Sequence, residues 1–146
     1  MMPVLESHIQ LVNDAIQSLG IDPDKCQQKE HRNTWKLHRG DVQMILIVQE
    51  SLSHNESKTA TMAAMCPLLK IDDNLSSNID FLKFVLELNH KLISESFSLS
   101  NDWLILSAAY YIDNMRRPEI VTMIESLSYH AEKLNEIIAN KFELNN

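Results

Sequence analysis

The chain has only two glycines among its 146 residues, Gly20 and Gly40. A loop that cradles phosphate needs two or three glycines close together. A nucleophile elbow needs two around a single serine. Neither can be written with this sequence. Cysteine is equally scarce. Cys26 and Cys66 stand 40 positions apart, too far for a zinc-ligating pair. The opening residues Met1-Met2-Pro3-Val4-Leu5-Glu6 lack the basic n-region and apolar run of a secretory signal, so the expectation is a cytoplasmic chain with free thiols.

Positive charge is also short. Thirteen Lys and Arg face twenty Asp and Glu, for a formal net charge of −7. Affinity for nucleic acid is built mainly from Lys and Arg on phosphate, and anionic membrane surfaces select the same residues. Neither partner is expected. No apolar run approaches the ~18 residues of a membrane-spanning helix. The six histidines, His8, His31, His38, His54, His90 and His130, fall on separate segments without the three- or four-residue spacing that puts two ligands on one helix face. No metal, cofactor or catalytic residue is assigned.

What is present is ordinary globular material: 45% apolar and 23% charged residues. A chain of this length buries about 70% of its unfolded surface, so one domain over residues 1–146 is expected, with an ordered core from about 4 to 140. Leu5, Ile9, Val12, Ile16 and Leu19 recur at helical spacing, and Gly20 suits the left-handed residue that ends such a helix. Thr34 to Leu37 alternates, His38-Arg39-Gly40-Asp41 reads as a turn, and Val42 to Val48 is a β-branched apolar run; together they read as a hairpin. Ser51 to Ser57 reads as a loop. Ala60 to Leu69 is placed as a third strand although Ala and Met favour helices, with Pro67 near its end, where a missing N–H costs least.

Ser77 followed by Asp80 resembles a capping box. The helix after it runs to about Leu92 and carries Phe81, Leu82, Phe84, Val85, Leu86 and Leu88. That apolar face is wider than one stripe, which predicts burial on two sides. Ser96–Leu99 and Trp103–Ile112 read as a second hairpin, its longer strand covered on both faces. Pro118 opens the last helix, in which Ile120, Ile124, Leu127, Ala131, Leu134 and Ile138 keep helical spacing. The order α-β-β-β-α-β-β-α predicts an α+β fold, an antiparallel five-stranded sheet packed with three helices.

Several tempting residues have simpler readings. Arg39-Gly40-Asp41 matches a cell-adhesion tripeptide but suits a hairpin turn. Trp35 and Trp103 are candidate partner- or ligand-binding anchors, although strand aromatics more often fill a core. The seven methionines suit an adaptable surface or, more simply, the core. Arg116-Arg117 reads as a solvated pair, and Asp72-Asp73 as turn chemistry.

The order of elements, with Trp35 to Val48, Phe84 to Leu92 and Phe97 to Leu106, resembles the type III secretion chaperone fold (Tir chaperone-like) and, within it, the YbjN-type family. The last helix, Ile120 to Ile138, is similar to the family's closing helix. The resemblance spans roughly residues 4 to 140. It implies a small, acidic, cytoplasmic, non-enzymatic protein. Secretion chaperones are homodimers that hold a non-globular segment of a secreted client on apolar surface before export, and YbjN-type relatives are linked to regulation. The broad helix suggests a dimer interface at Phe81, Phe84, Val85 and Leu88. A chaperone-like or regulatory protein-binding module is the leading reading. The alternative is a small-molecule or peptide sensor with a pocket between sheet and helices near Trp35 and Trp103.

Overall fold

The computed structural model describes residues 4–52, 54–55 and 58–144. Helix α1 (Val4–Ser18) ends at Gly20, whose φ of +83° is the left-handed geometry expected there. A short helix α2 (Pro23–Cys26) follows, N-capped by the Asp22 side chain. The sheet is built from β1 (Thr34–Arg39), β2 (Val42–Leu52), β3 (Lys58–Lys70), β4 (Ser96–Ser100) and β5 (Trp103–Tyr111). All neighbours are antiparallel and the order is β1-β2-β3-β5-β4. Between β3 and β4 lie the short α3 (Asp73–Ser76) and the longer α4 (Ile79–Lys91). A 3₁₀ turn at Ile112–Asn114 leads into α5 (Arg117–Lys141).

The α+β architecture is the expected one, with two short helices added. A single turn has no apolar period to read. Its signal is instead a carboxylate on a backbone N–H, from Asp22 to Asp24 and from Asp72 to Leu75. Cys26 therefore sits in a helix. The start of α4 also differs from expectation. Ser77 closes α3, and the N-cap of α4 is Asn78, whose Oδ1 accepts from the N–H groups of Asp80 and Phe81 at 3.0 and 3.2 Å. The expected 51–57 loop is shorter, since β2 runs to Leu52 and β3 starts at Lys58. Ser53, Glu56 and Ser57 lie outside the described residues.

Strand alternation sorts the sheet into two faces. One carries Trp35, Leu37, Met44, Leu46, Val48, Met62, Ala64, Cys66, Leu104, Leu106 and Ala108, all buried. Against it pack Ile9, Val12 and Ile16 of α1 and Ile120, Ile124, Leu127, Ala131 and Ile138 of α5 in one continuous core. Trp35 Nε1–H donates to Asn13 Oδ1 at 2.8 Å, which ties β1 to α1. Helix α4 lies along the outer edge of β4. Asn89 reaches that edge with both ends of its amide: Phe97 N–H donates to its Oδ1 at 2.6 Å, and its Nδ2–H donates to the Phe97 carbonyl at 3.1 Å. The amide thus imitates one more strand and blocks an otherwise open edge. Asn89→Ala removes both bonds, and about 2 kcal/mol of stability should go with them, read as a lower urea midpoint at unchanged slope.

Candidate functional site: an uncovered sheet face and an unpartnered helix stripe

The other face of the sheet has no buried position among the described residues. Its centre is nonetheless apolar. The register sets Ile47 opposite Ala63, Ile45 opposite Met65, Pro67 opposite Ile105 and Ala63 opposite Ala109. These side chains are half-exposed or exposed. This corrects the expectation that the fifth strand is covered on both faces. Its inward residues meet α5, whereas Ile105, Ala109 and Tyr111 face outward. A sequence run that is apolar at nearly every position cannot distinguish the two cases, because the uncovered face is apolar too.

A second surface runs along α4. Phe81 and Val85 are buried. The Phe81 ring meets Phe142 edge-on at 5.3 Å, and Phe84 meets the same ring at 5.7 Å. Of the residues expected at a dimer interface, Phe81 and Val85 thus pack inside the protomer, while Phe84 and Leu88 are half-buried. The apolar face is broad because a second stripe lies beside the first. Ile79, Leu82 and Leu86 follow i, i+3, i+7 spacing, about 110° around the helix from the buried residues at 100° per residue. Ile79 is 61% exposed, Leu86 67%, and Ile93 just past the helix 87%. Such neighbouring exposed aliphatics on a helix mark a contact surface.

The two tryptophans do not share a site. Trp35 is fully buried on the helix-covered face. Trp103, 40% exposed, lies opposite Ser100 and lines a cleft at one end of the sheet. Among the outer backbone groups of β1, those near Thr34 are taken, with its carbonyl accepting from Gln28 N–H at 2.8 Å. Gln27 bridges to Trp35 across the same edge, which covers β1 as far as Lys36. Alternation then points the backbone of His38 away from β2, toward no described strand.

The polar clusters do not assemble a nucleophilic relay. Glu95 stands between Ser126 and His130, with oxygens 3.3 Å from Ser126 Oγ and 2.7 Å from His130 Nδ1. A serine nucleophile needs the histidine next to it, with the carboxylate behind. Arg116 is engaged by Glu119, its Nε 3.0 Å from Oε1, and that hydrogen bond lowers the Glu119 carboxyl below the usual range. Burial, with the Glu95 charge adding to it, pushes the Cys66 thiol up to about 12, which suppresses thiolate and hence reactivity. Burial likewise raises Cys26. Among the described residues, no group of three or more His, Cys, Asp or Glu could hold a metal ion, and no helix is long and apolar enough to cross a membrane.

The Cys66 shift carries a sign for stability. An unfolded thiol ionises near the ordinary value, so from there up to about 12 the unfolded chain releases a proton that the native one keeps. Stability should be flat with respect to this group at neutral pH and fall above about pH 9. Cys66→Ala should flatten that fall in urea titrations across pH 8 to 11. Native protein should also react with a thiol reagent at pH 8 far more slowly than urea-unfolded protein.

No protein-family model matches the chain, and no curated protein matches it in sequence. Solved structures do. A chain of the ExsC–ExsE complex aligns at a TM-score of 0.64 and 14% identity, over 94% of this chain and 97% of that one. A chain of the HopA1–SchA chaperone–effector complex aligns at 0.61 and 14%, over 92% and 99%. A chain of the heterodimeric ExoU–SpcU complex, from the type III secretion system of Pseudomonas aeruginosa, aligns at 0.60 and 11%, over 85% and 94%. The chain has the type III secretion chaperone fold. YbjN from E. coli aligns at 0.47 and 14%, so the fold rests on the secretion complexes and not on YbjN.

Proposed function

We propose that this protein is a non-enzymatic, chaperone-like binding module that acts in the cytoplasm as a homodimer and holds a segment of another protein on apolar surface. The observation that carries the proposal is the uncovered, apolar-centred sheet face around Ile45, Ile47, Met65 and Ile105. A face of this kind receives a partner's apolar side chains, and the edge of β1 at His38, past the Gln27–Trp35 bridge, lets an extended segment add backbone hydrogen bonds. One solved complex of the same fold, HopA1–SchA, pairs a chaperone with an effector. A net charge of −7 keeps a protein with this much exposed apolar surface soluble.

The Ile79, Leu82, Leu86 and Ile93 stripe suits a two-fold contact, in which one patch serves both copies. This moves the interface one side around α4 from Phe81 and Val85, which serve the core, and leaves Phe84 and Leu88 outside it, on the other side of those core residues. Light scattering of the purified protein should give twice the 16.8 kDa chain mass. A mass of one chain would instead leave the stripe to a partner, in the heterodimeric manner of ExoU–SpcU.

A further inference from the structure

Alternation of the ladder shows why a cleft opens at one end of the sheet. The backbone of Phe97 is held by Asn89 on the outer side of β4, so Phe97 and its partner Leu106 are a non-hydrogen-bonded pair. Leu106 therefore bonds to Cys66 on its other side. It follows that Met65 and residue 67 of β3 direct their backbone groups toward β2. Met65 meets Ile45. Two residues on, the bonded partner of Gln43 would be residue 67, and residue 67 is Pro, with no N–H to give. The β2–β3 register stops at Ile45 and Met65, although β2 begins at Val42 and β3 continues to Lys70. Past that point each strand is held from its far side only, β2 by β1 and β3 by β5.

The parted strands wall a cleft of about 1310 Å³. It exceeds the several hundred cubic ångströms usual for one small ligand, which suits a length of peptide better. Its apolar surface comes from Pro67, Leu69, Trp103 and Ile105. The backbone of Gln43 faces into it, unclaimed by the ladder. Its charged rim is Asp41 and Glu136 against Lys70, with Glu132 already paired to Arg39 at 3.7 Å, which leaves a surplus of negative charge.

We infer that this cleft, opened by Pro67, takes an extended segment of a protein partner that sets an aliphatic or aromatic side chain beside arginine or lysine. The apolar residue lies against Trp103 and Pro67, the basic residue meets Asp41 and Glu136, and the segment's backbone takes up the groups that Gln43 leaves free. The inference deepens the protein-binding proposal by adding a recognition site with its own chemistry.

The probe is the synthetic peptide acetyl-Gly-Arg-Ile-Arg-Leu-Arg-Gly-amide, with a glutamate-for-arginine version as control. Trp35 is fully buried, so Trp103 emission is the reporter, and Trp103→Phe should remove the signal. The arginine peptide should shift the emission saturably and the glutamate peptide should not. Pro67→Val restores the missing N–H, closes the ladder onto Gln43 and should weaken the arginine peptide at least tenfold, with amide-exchange protection appearing at residue 67. The double variant Asp41→Lys with Glu136→Lys leaves the strands alone. It should weaken the same peptide at least tenfold, which keeps the test decisive if Pro67→Val folds poorly. An unshifted wild-type emission, equal binding of both peptides, or undiminished binding by the folded variants overturns the inference. A protein that captures a partner and fails this test loses the cleft and keeps the proposed function. One that binds the peptide here and captures no partner loses the proposed function and keeps the cleft.

Discussion

Trp35→Ala should remove about 4–6 kcal/mol of stability. The side chain is fully buried between the sheet and α1, and large-to-small changes at such aromatics cost about 3–5 kcal/mol. The lost bond from Nε1–H to Asn13 Oδ1 adds about 1 kcal/mol. A domain of this size is stable by only about 5–15 kcal/mol, so a large share of the margin goes. Trp35→Phe keeps most of the packing and loses the bond, and should cost about 1–2 kcal/mol. Urea unfolding followed by circular dichroism gives both values. Trp103→Ala, on the exposed face, should move stability by less than about 1 kcal/mol. The contrast between two residues of one type rests mainly on burial, with the Asn13 bond adding to it.

Leu86→Asp should convert the proposed dimer to monomer without unfolding it. Leu86 is 67% exposed in the protomer, so an aspartate there meets water when the chain is alone. In a two-fold contact the change enters twice. Burying a leucine is worth about 2 kcal/mol, so two copies lose about 4 kcal/mol, roughly a thousandfold in the dimer Kd. Light scattering should drop from twice the chain mass to the chain mass, 16.8 kDa, while the urea midpoint stays close to that of wild-type monomer. Val85→Asp makes the opposite case. Val85 is buried, so a charge there should unfold the protomer.

Much of this fold was legible because its elements have a period. The α1 stripe from Leu5 to Leu19, the β-branched run of β2 and the long α5 stripe each bury one face, and burial imposes spacing of about 3.6 or 2. What stayed illegible depended on distant residues. The inward side of α4 is chosen by Phe142, which arrives from the far end of α5, so the sequence shows only an apolar face wider than one stripe over Phe81 to Leu88. Trp35 and Trp103 differ because their strands present opposite faces at those positions, and parity against a sheet is fixed by register, not by residue type. Pro67 could be seen as a strand-end residue. That it parts β2 from β3 follows only once Asn89 on Phe97 fixes which way each backbone group points. Asn78 rather than Ser77 caps α4 because the residue before it still belongs to α3, a helix too short to announce itself by period.

The central claim, that the uncovered sheet face binds a segment of another protein, is tested most directly by affinity capture. Tagged wild type and the double variant Ile47→Thr with Met65→Ser are passed through native lysate, and what each retains is identified by mass spectrometry and weighed by light scattering. The substitutions keep strand-compatible residues at half-exposed positions while removing apolar surface. The account predicts one stoichiometric protein on the wild type, carried by a dimer, and its loss from the folded variant. A wild type that emerges clean, or a variant that retains the same protein equally well, would contradict it.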